Sequence, residues 1–181
     1  MKSEKTDIDI NPENARKPLL LIGIGNDSRA DDGLGWVFLD RIKERFPDGK
    51  MPLHSGASPV HFDVEYRYQL QVEDAALICR YRNVVFIDAT EEEHDEGFAI
   101  RECESAGTYH FSSHIQGPES ILYLSEVLFG QTPETHVVSI SGYEWELGVD
   151  MCKHATENLD KAFNAFLDRQ QKPEHNVNQL K

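Results

Sequence analysis

The sequence has few cysteines and no long apolar run. Its 181 residues include three cysteines, Cys79, Cys103 and Cys152, and none of them forms a CxxC pair. This usage argues against a disulfide framework and against a thiolate zinc site, and it fits a reducing compartment. No apolar stretch approaches the roughly 18 residues that cross a bilayer, and residues 1–17 are polar and show no signal peptide. We therefore expect a soluble, cytoplasmic protein without a membrane anchor.

Basic residues are also scarce. The chain has 18 lysines and arginines against 32 aspartates and glutamates, which gives a formal net charge of -14. Nucleic acid or an anionic membrane surface would meet net repulsion instead of the favourable release of counterions. The charge therefore predicts neither nucleic acid nor a membrane as partner, and it favours cationic or neutral partners.

The chain length and composition suit a single domain. A chain of 181 residues with 39% hydrophobic residues can bury one core, whereas two full domains would be cramped. Residues 1–17 and 170–181 are polar and lack periodicity, so we predict flexible tails there. The predicted domain is residues 18–169.

Apolar bursts alternate with helical patterns along this domain. The runs PLLLIG at 18–23 and NVVFIDAT at 83–90 are typical of buried parallel strands, whereas the polar-apolar alternation over 60–70 predicts a strand near a sheet edge. Further strands are predicted near 98–103 and at 136–141, with helices near 33–46, 72–81, 118–129 and 149–169. Strands joined by helical crossovers predict an α/β fold, a three-layer α/β/α sandwich around a mainly parallel five-stranded sheet.

The first strand leads into the stretch GIGNDSRADDGLG at 23–35. A dinucleotide-binding GxGxxG motif would need a third glycine where this chain has Ser28, and no Gly-Lys-Ser or Gly-Lys-Thr cradle follows, so a nucleotide site is not predicted. A purely structural interpretation is that the glycines form a tight strand exit, Asp31 caps the next helix and Asp32 lies in its first turn. That interpretation does not explain why two acids stand together.

Three chemically capable residues fall at one predicted edge of the sheet. Asp32 follows the first strand, Asp88 ends the third, and His114 lies in the loop after the fourth. In an open parallel sheet, ligands bind beyond the carboxyl ends of the strands. Two carboxylates and an imidazole suit a divalent metal such as nickel, zinc or iron with open coordination positions. His110 competes with His114 as the ligand, and each residue alone could be a cap or an ordinary surface side chain.

A covalent mechanism has no obvious nucleophile in this sequence. There is no GxSxG elbow, Ser112 and Ser113 are only loop neighbours of His114, and Cys79 lies on an apolar helical face. The remaining possibilities are hydrolysis by water that a metal or a carboxylate activates, or binding without chemistry.

Three segments together carry a family resemblance. LLLIGIGNDSRADDGLG, VVFIDA and SSHIQGPESILYL resemble, in order and spacing, the marker segments of the hydrogenase maturation endopeptidases. The resemblance spans roughly residues 18–169. It implies an α/β/α fold of the phosphorylase/hydrolase-like kind and an aspartic-type endopeptidase. Such an enzyme removes a C-terminal extension from the large-subunit precursor of a nickel-iron hydrogenase after nickel insertion.

The resemblance also implies roles for individual residues. Carried over position by position, the family's metal-binding acid, aspartate and histidine fall on Asp32, Asp88 and His114, and the two carboxylates are then the candidates for catalysis. Nickel would come with the substrate, and other divalent metals could substitute for it. The alternatives are a metal-sensing chaperone or binding module that does not cleave, and a metal-independent peptidase related to the spore germination proteases.

The chain departs from the family pattern at three places. Asp32 stands where relatives often have glutamate, and YRYQLQ at 66–71 replaces a glycine-rich DGGT turn. The segment SGYEWELGVDM at 141–151 replaces a loop rich in glutamate and proline; we expect it to be solvated, with Glu144 and Glu146 as candidates to line a cleft. These departures leave the type of hydrogenase undetermined.

Overall fold

A computed structural model describes residues 17–52, 58–106 and 117–171. The strands in these ranges are β1 (Lys17–Ile24), β2 (Lys50–Met51), β3 (Val60–Arg67), β4 (Tyr81–Thr90), β5 (Phe98–Glu102) and β6 (Glu134–Ser141). The helices are a 3₁₀ helix (Ala30–Gly33), α1 (Leu34–Arg45), α2 (Asp74–Ile78), α3 (Pro118–Phe129) and α4 (Lys153–Gln171). None of these described helices combines the length and the apolarity that crossing a membrane requires.

The strands form one sheet in the order β2-β3-β1-β4-β6-β5. β1 pairs in parallel with β3 and β4, and β4 pairs in parallel with β6, whereas β2 and β5 join antiparallel. The mainly parallel sheet is confirmed, and each of the five predicted strands is present. The predicted number of five is wrong because the sheet also includes β2, whose two residues are too few to show a periodic pattern.

Helices cover both faces of the sheet. On one face, Leu21 of β1 belongs to a core cluster with Phe38 of α1 and Phe166 of α4. On the other face, Leu20 belongs to a second cluster with Ile121 of α3 and with residues of α2. Neighbouring residues of a strand point to opposite faces, so the continuous apolar run of β1 serves both cores. The predicted three-layer α/β/α sandwich is confirmed.

The ends of the fold lie close to the predicted domain limits. β1 begins at Lys17, one residue before the predicted start at 18, and α4 extends to Gln171, two residues past the predicted end at 169. The two tails lie almost wholly outside the described residues, so their flexibility stays a prediction. The parallel order of β1, β4 and β6 brings the carboxyl ends of these strands to the same edge of the sheet.

Candidate functional site

Asp32 lies in the 3₁₀ helix that follows β1. The chain leaves β1 through Gly25, whose φ of +128° favours glycine. A Cβ at this position would lie 1.8 Å from the Asp32 carbonyl oxygen, so a side chain has no room. The Asn26 N–H donates a hydrogen bond of 3.1 Å to that same carbonyl. The glycine exit therefore fixes the backbone of Asp32 against the end of β1, which is the scaffolding role that the sequence predicts.

Asp88 lies in β4, directly after the fully buried Ile87 and in register with Ser139 of β6. Burial raises the pKa of Asp88 to about 7; the Ala89 N–H opposes this rise, and the negative charge of Asp32 adds to it. The two carboxyl groups are therefore close enough for their charges to repel each other. The structure brings Asp32 and Asp88 together at the carboxyl edge of the sheet, as the strand pattern predicts.

The groups around Asp32 only partly compensate the negative charge of its carboxylate. Burial raises the pKa of Asp32, and this effect outweighs the Arg29 guanidinium and the Asn26 N–H, which lower it. The Arg29 Nη1 lies 3.8 Å from Asp32 Oδ2, and its side chain is 47% exposed, so the surrounding water screens much of its attraction. Two desolvated carboxyl groups that repel each other can be stabilised by a proton or by a cation. As oxygen donors, these acids fit a divalent metal.

The histidine of the predicted metal site falls in the segment 107–116. His114 and its competitor His110 lie outside the described residues, as do Ser112 and Ser113. Within the part of the chain that the structure describes, no group of three or more His, Cys, Asp or Glu side chains could hold a metal ion. The structure thus brings together two of the three predicted ligands, and the role of His114 stays a prediction.

The raised pKa of Asp88 predicts a pH-dependent gain of stability for Asp88→Asn in metal-free protein. The folded-state pKa of about 7 lies above the ordinary aspartate value of 3.8, so the folded state binds more protons than the unfolded state between these pH values. The stability of the unsubstituted protein therefore falls as the pH rises through this range. We expect the variant to be more stable by at least about 1 kcal/mol at pH 8 and no more stable near pH 4.

Urea denaturation at several pH values in a chelating buffer measures this difference. The matched control is Asp95→Asn, which removes an exposed carboxylate from the loop that follows β4. This control is expected to change stability by less than about 0.5 kcal/mol at every pH. If the difference in the free energy of unfolding between Asp88→Asn and the unsubstituted protein did not vary with pH, the pKa of Asp88 would not be raised in the folded state.

Asp31 makes contacts that the sequence did not predict. It is fully buried, and its carboxylate forms no cap on the 3₁₀ helix or on α1, so the predicted helix-capping role is wrong. Instead, it accepts hydrogen bonds from the backbone N–H groups of Tyr143 at 2.8 Å, Glu144 at 2.9 Å and Cys152 at 2.7 Å. These donors belong to residues 142–152, which we call the β6–α4 segment. The only signal in the sequence was a second acid beside Asp32.

The β6–α4 segment is bonded to the exit from β1. The Asp31 N–H donates to the Glu144 carbonyl at 3.0 Å, the Ala30 N–H to the Val149 carbonyl at 3.1 Å, and the Gly148 N–H to the Ser28 carbonyl at 2.8 Å. Residues 146–150 of the segment are exposed to solvent, as predicted, while the backbone of the segment forms one wall around the 3₁₀ helix. The Glu144 carboxylate accepts from the N–H groups of the next two residues, which keeps it within its own loop.

The YRYQLQ residues lie on the other side of the β1 exit. The Gly25 N–H and the Trp36 Nε1–H both donate to the carbonyl of Arg67, the last residue of β3, at 2.9 and 3.2 Å. Tyr68 follows, 68% exposed, with its ring centroid 5.0 Å from that of Trp36. The YRYQLQ segment therefore presents an aromatic ring beside the strand exit that holds Asp32.

Comparison with solved structures identifies the fold. HybD, a hydrogenase maturating endopeptidase from E. coli, matches with a TM-score of 0.62 and 15% identity, over 84% of this chain and 91% of that chain. HycI, a [NiFe] hydrogenase maturation protease from Thermococcus kodakarensis KOD1, matches with a TM-score of 0.59 and 18% identity, over 85% and 91%. A hydrogenase 2 maturation peptidase from a Thaumarchaeota archaeon matches with a TM-score of 0.56 and 17% identity, over 84% and 97%.

Comparisons by sequence add nothing to this likeness. No protein-family model matches the chain, and no curated protein matches its sequence. At these identities the structural likeness establishes the fold, which is that of the hydrogenase maturation proteases. The resemblance carried by the three sequence segments is thus confirmed at the level of the fold.

Proposed function

We propose that the protein is a hydrogenase maturation endopeptidase. It removes the C-terminal extension from the large-subunit precursor of a nickel-iron hydrogenase after nickel insertion, in the cytoplasm. The observation that carries this proposal is the coupled pair Asp32 and Asp88 at the carboxyl edge of the sheet, in a fold shared with solved maturation proteases. His114 is the third proposed ligand, because it follows the fourth predicted strand and the family resemblance implies a histidine ligand at this position.

Nickel in this proposal is part of the substrate. The precursor presents the ion together with ligands of its own, so the protease needs to supply only a few donors. Asp32 and Asp88 supply carboxylate oxygens and are the reason that a loaded precursor binds better than an empty one. Nickel offsets the repulsion that the two acids exert on each other in the free protein, which gives the site its preference for a cation.

The same carboxylates are the catalytic candidates. Each has two oxygens, so one can face the metal while the other accepts a hydrogen bond from water. Hydrolysis consumes that water. It leaves a new carboxyl group on the mature subunit and a new amino group on the released extension. A carboxylate that takes the proton from water makes it a better nucleophile, and this role fits a site without a covalent nucleophile.

Cleavage is expected only with the loaded precursor. Purified protein is incubated with nickel-loaded and with nickel-free precursor, and the mass of the large subunit is followed over time. The loaded precursor should lose its C-terminal extension, whereas the nickel-free precursor should remain intact. Absence of cleavage in both samples would remove the peptidase claim.

Two other outcomes point to the alternative functions. Tight binding of loaded precursor without any loss of mass would favour the metal-sensing chaperone. Cleavage that persists undiminished after Asp32, Asp88 and His114 are replaced singly with alanine would favour a metal-independent peptidase. The ligand residues would be the same in a sensor and in a protease, so these measurements decide what the sequence leaves open.

A further inference from the structure

Asp31 has no role in the proposed metal site, yet it is the most heavily bonded carboxylate near it. Its side chain is fully buried and accepts four hydrogen bonds, three from backbone N–H groups of the β6–α4 segment and one from the Cys152 thiol at 3.1 Å. A buried acid beside Asp32 that accepts four hydrogen bonds from one segment therefore joins that segment to the 3₁₀ helix.

Cys152 connects this acid to the start of α4. The Cys152 N–H donates to Asp31 Oδ1 at 2.7 Å, and the Ala155 N–H in the first turn of α4 donates to the Cys152 sulfur at 3.3 Å. The thiol itself donates to Asp31 Oδ2. The 3₁₀ helix is thereby joined through a single carboxylate to the β6–α4 segment and to the helix that follows it.

We infer that Asp31 is a positioning residue that holds Asp32 toward Asp88 by fastening the 3₁₀ helix to the β6–α4 segment. The inference rests on the proposed function, because it assigns a task to the neighbour of a proposed ligand. Three hydrogen bonds between the main chains of residues 28–31 and this segment support the same attachment. Gly142 lies against Asp31 as well, since a Cβ there would be 2.9 Å from the Asp31 Cβ.

The arrangement explains why a carboxylate is required at position 31. An asparagine has one acceptor oxygen, and its NH₂ group would face N–H donors that now point at Asp31 Oδ1 and Oδ2. At least one donor would lose its partner in a buried place, and the segment would shift to find another. The shift would be passed to Asp32 through the peptide bond that the two residues share.

The test compares Asp31→Asn with Asp27→Asn, which alters an exposed acid of the same loop. In cleavage of nickel-loaded precursor, Asp31→Asn is expected to lower kcat by about 10- to 100-fold with a KM within about threefold of the unsubstituted value. Hydrogen exchange on the free protein should show faster exchange of the amides at 30–31 and 143–144, with unchanged protection in β1 and β4. Asp27→Asn should change neither the kinetic constants nor the amide exchange.

A milder pair keeps the test decisive if Asp31→Asn does not fold. Cys152→Ser retains a donor to Asp31 and should stay within about twofold of the unsubstituted kcat, whereas Cys152→Ala should lower kcat several-fold. The inference is overturned if Asp31→Asn, or Cys152→Ala in its place, leaves amide exchange and kcat unchanged, or if it lowers only the thermal stability. If the unsubstituted protein does not cleave, the proposed function fails, and the exchange data alone still decide whether Asp31 fastens the segment.

Discussion

Replacement of Asp32 by asparagine is expected to lower cleavage of nickel-loaded precursor by at least about 100-fold. Replacing a residue that only orients a metal ligand already lowers metal affinity or activity by about 10- to 100-fold, and Asp32 is proposed as a ligand itself. Asparagine has nearly the size of aspartate but carries no negative charge, and the charge is what attracts the cation. The change also removes the repulsion felt by Asp88, so the variant should fold at least as well as the original. The loss should therefore appear in kcat/KM, measured by the mass of the large subunit, without a fall in Tm.

A control variant and two histidine variants accompany the test of Asp32→Asn. Asp27→Asn, five residues earlier in the same loop, removes an exposed acid and should cleave normally. His114→Ala should be as inactive as Asp32→Asn, whereas His110→Ala should remain active, which would settle which histidine completes the site. Normal cleavage by Asp32→Asn, with the precursor shown to contain nickel, would mean that the first carboxylate of the proposed site is wrongly assigned.

Replacement of Gly25 by alanine is expected to destabilise the protein by about 3 kcal/mol or more, which combines overpacking with backbone strain. The new methyl group would lie 1.8 Å from the Asp32 carbonyl oxygen, and the φ of +128° is unfavourable for any residue with a Cβ. The oxygen belongs to the main chain and accepts from the Asn26 N–H, so it cannot turn away as a flexible side chain would. Urea denaturation measures the change in the free energy of unfolding.

Gly130→Ala separates strain from steric conflict. Gly130 ends α3 with a φ of +63°, and a Cβ there would meet nothing within 4 Å. It should cost only about 1–2 kcal/mol, the strain of a left-handed backbone alone. If the two alanine variants were equally stable, the close approach of Gly25 to Asp32 would not be important for the fold. If Gly25→Ala folds, we expect it to lose cleavage because the Asp32 backbone must move.

The elements of the sheet could be predicted because each has its own local signal. The unbroken apolar runs of β1 and β4 are explained by helices on both faces, whereas β3 alternates because only its face with Phe62 and Val64 joins a core cluster among the described residues. The meeting of Asp32 and Asp88 followed from strand direction, since the carboxyl ends of parallel strands share an edge.

The role of Asp31 could not be predicted for the opposite reason. Its partners are separated from it by 112, 113 and 121 residues, and three of its four bonds go to backbone N–H groups, which every residue except proline carries. Because backbone donors do not depend on the type of side chain, the amino-acid sequence of the β6–α4 segment carries no signal for its bonds to Asp31. The two-residue β2 was missed for a related reason, because its pairing depends on β3 and not on a pattern of its own.

The bond between Asp31 and Cys152 has a consequence for the order in which the protein is made. Synthesis proceeds from the amino end, so Asp32 and Asp88 both leave the ribosome long before Cys152, which lies 121 residues after Asp31. A nascent chain that ends before the β6–α4 segment carries both acids but lacks the donors that hold the 3₁₀ helix in place. The edge that would receive a metal is thus finished only after the β6–α4 segment has been translated.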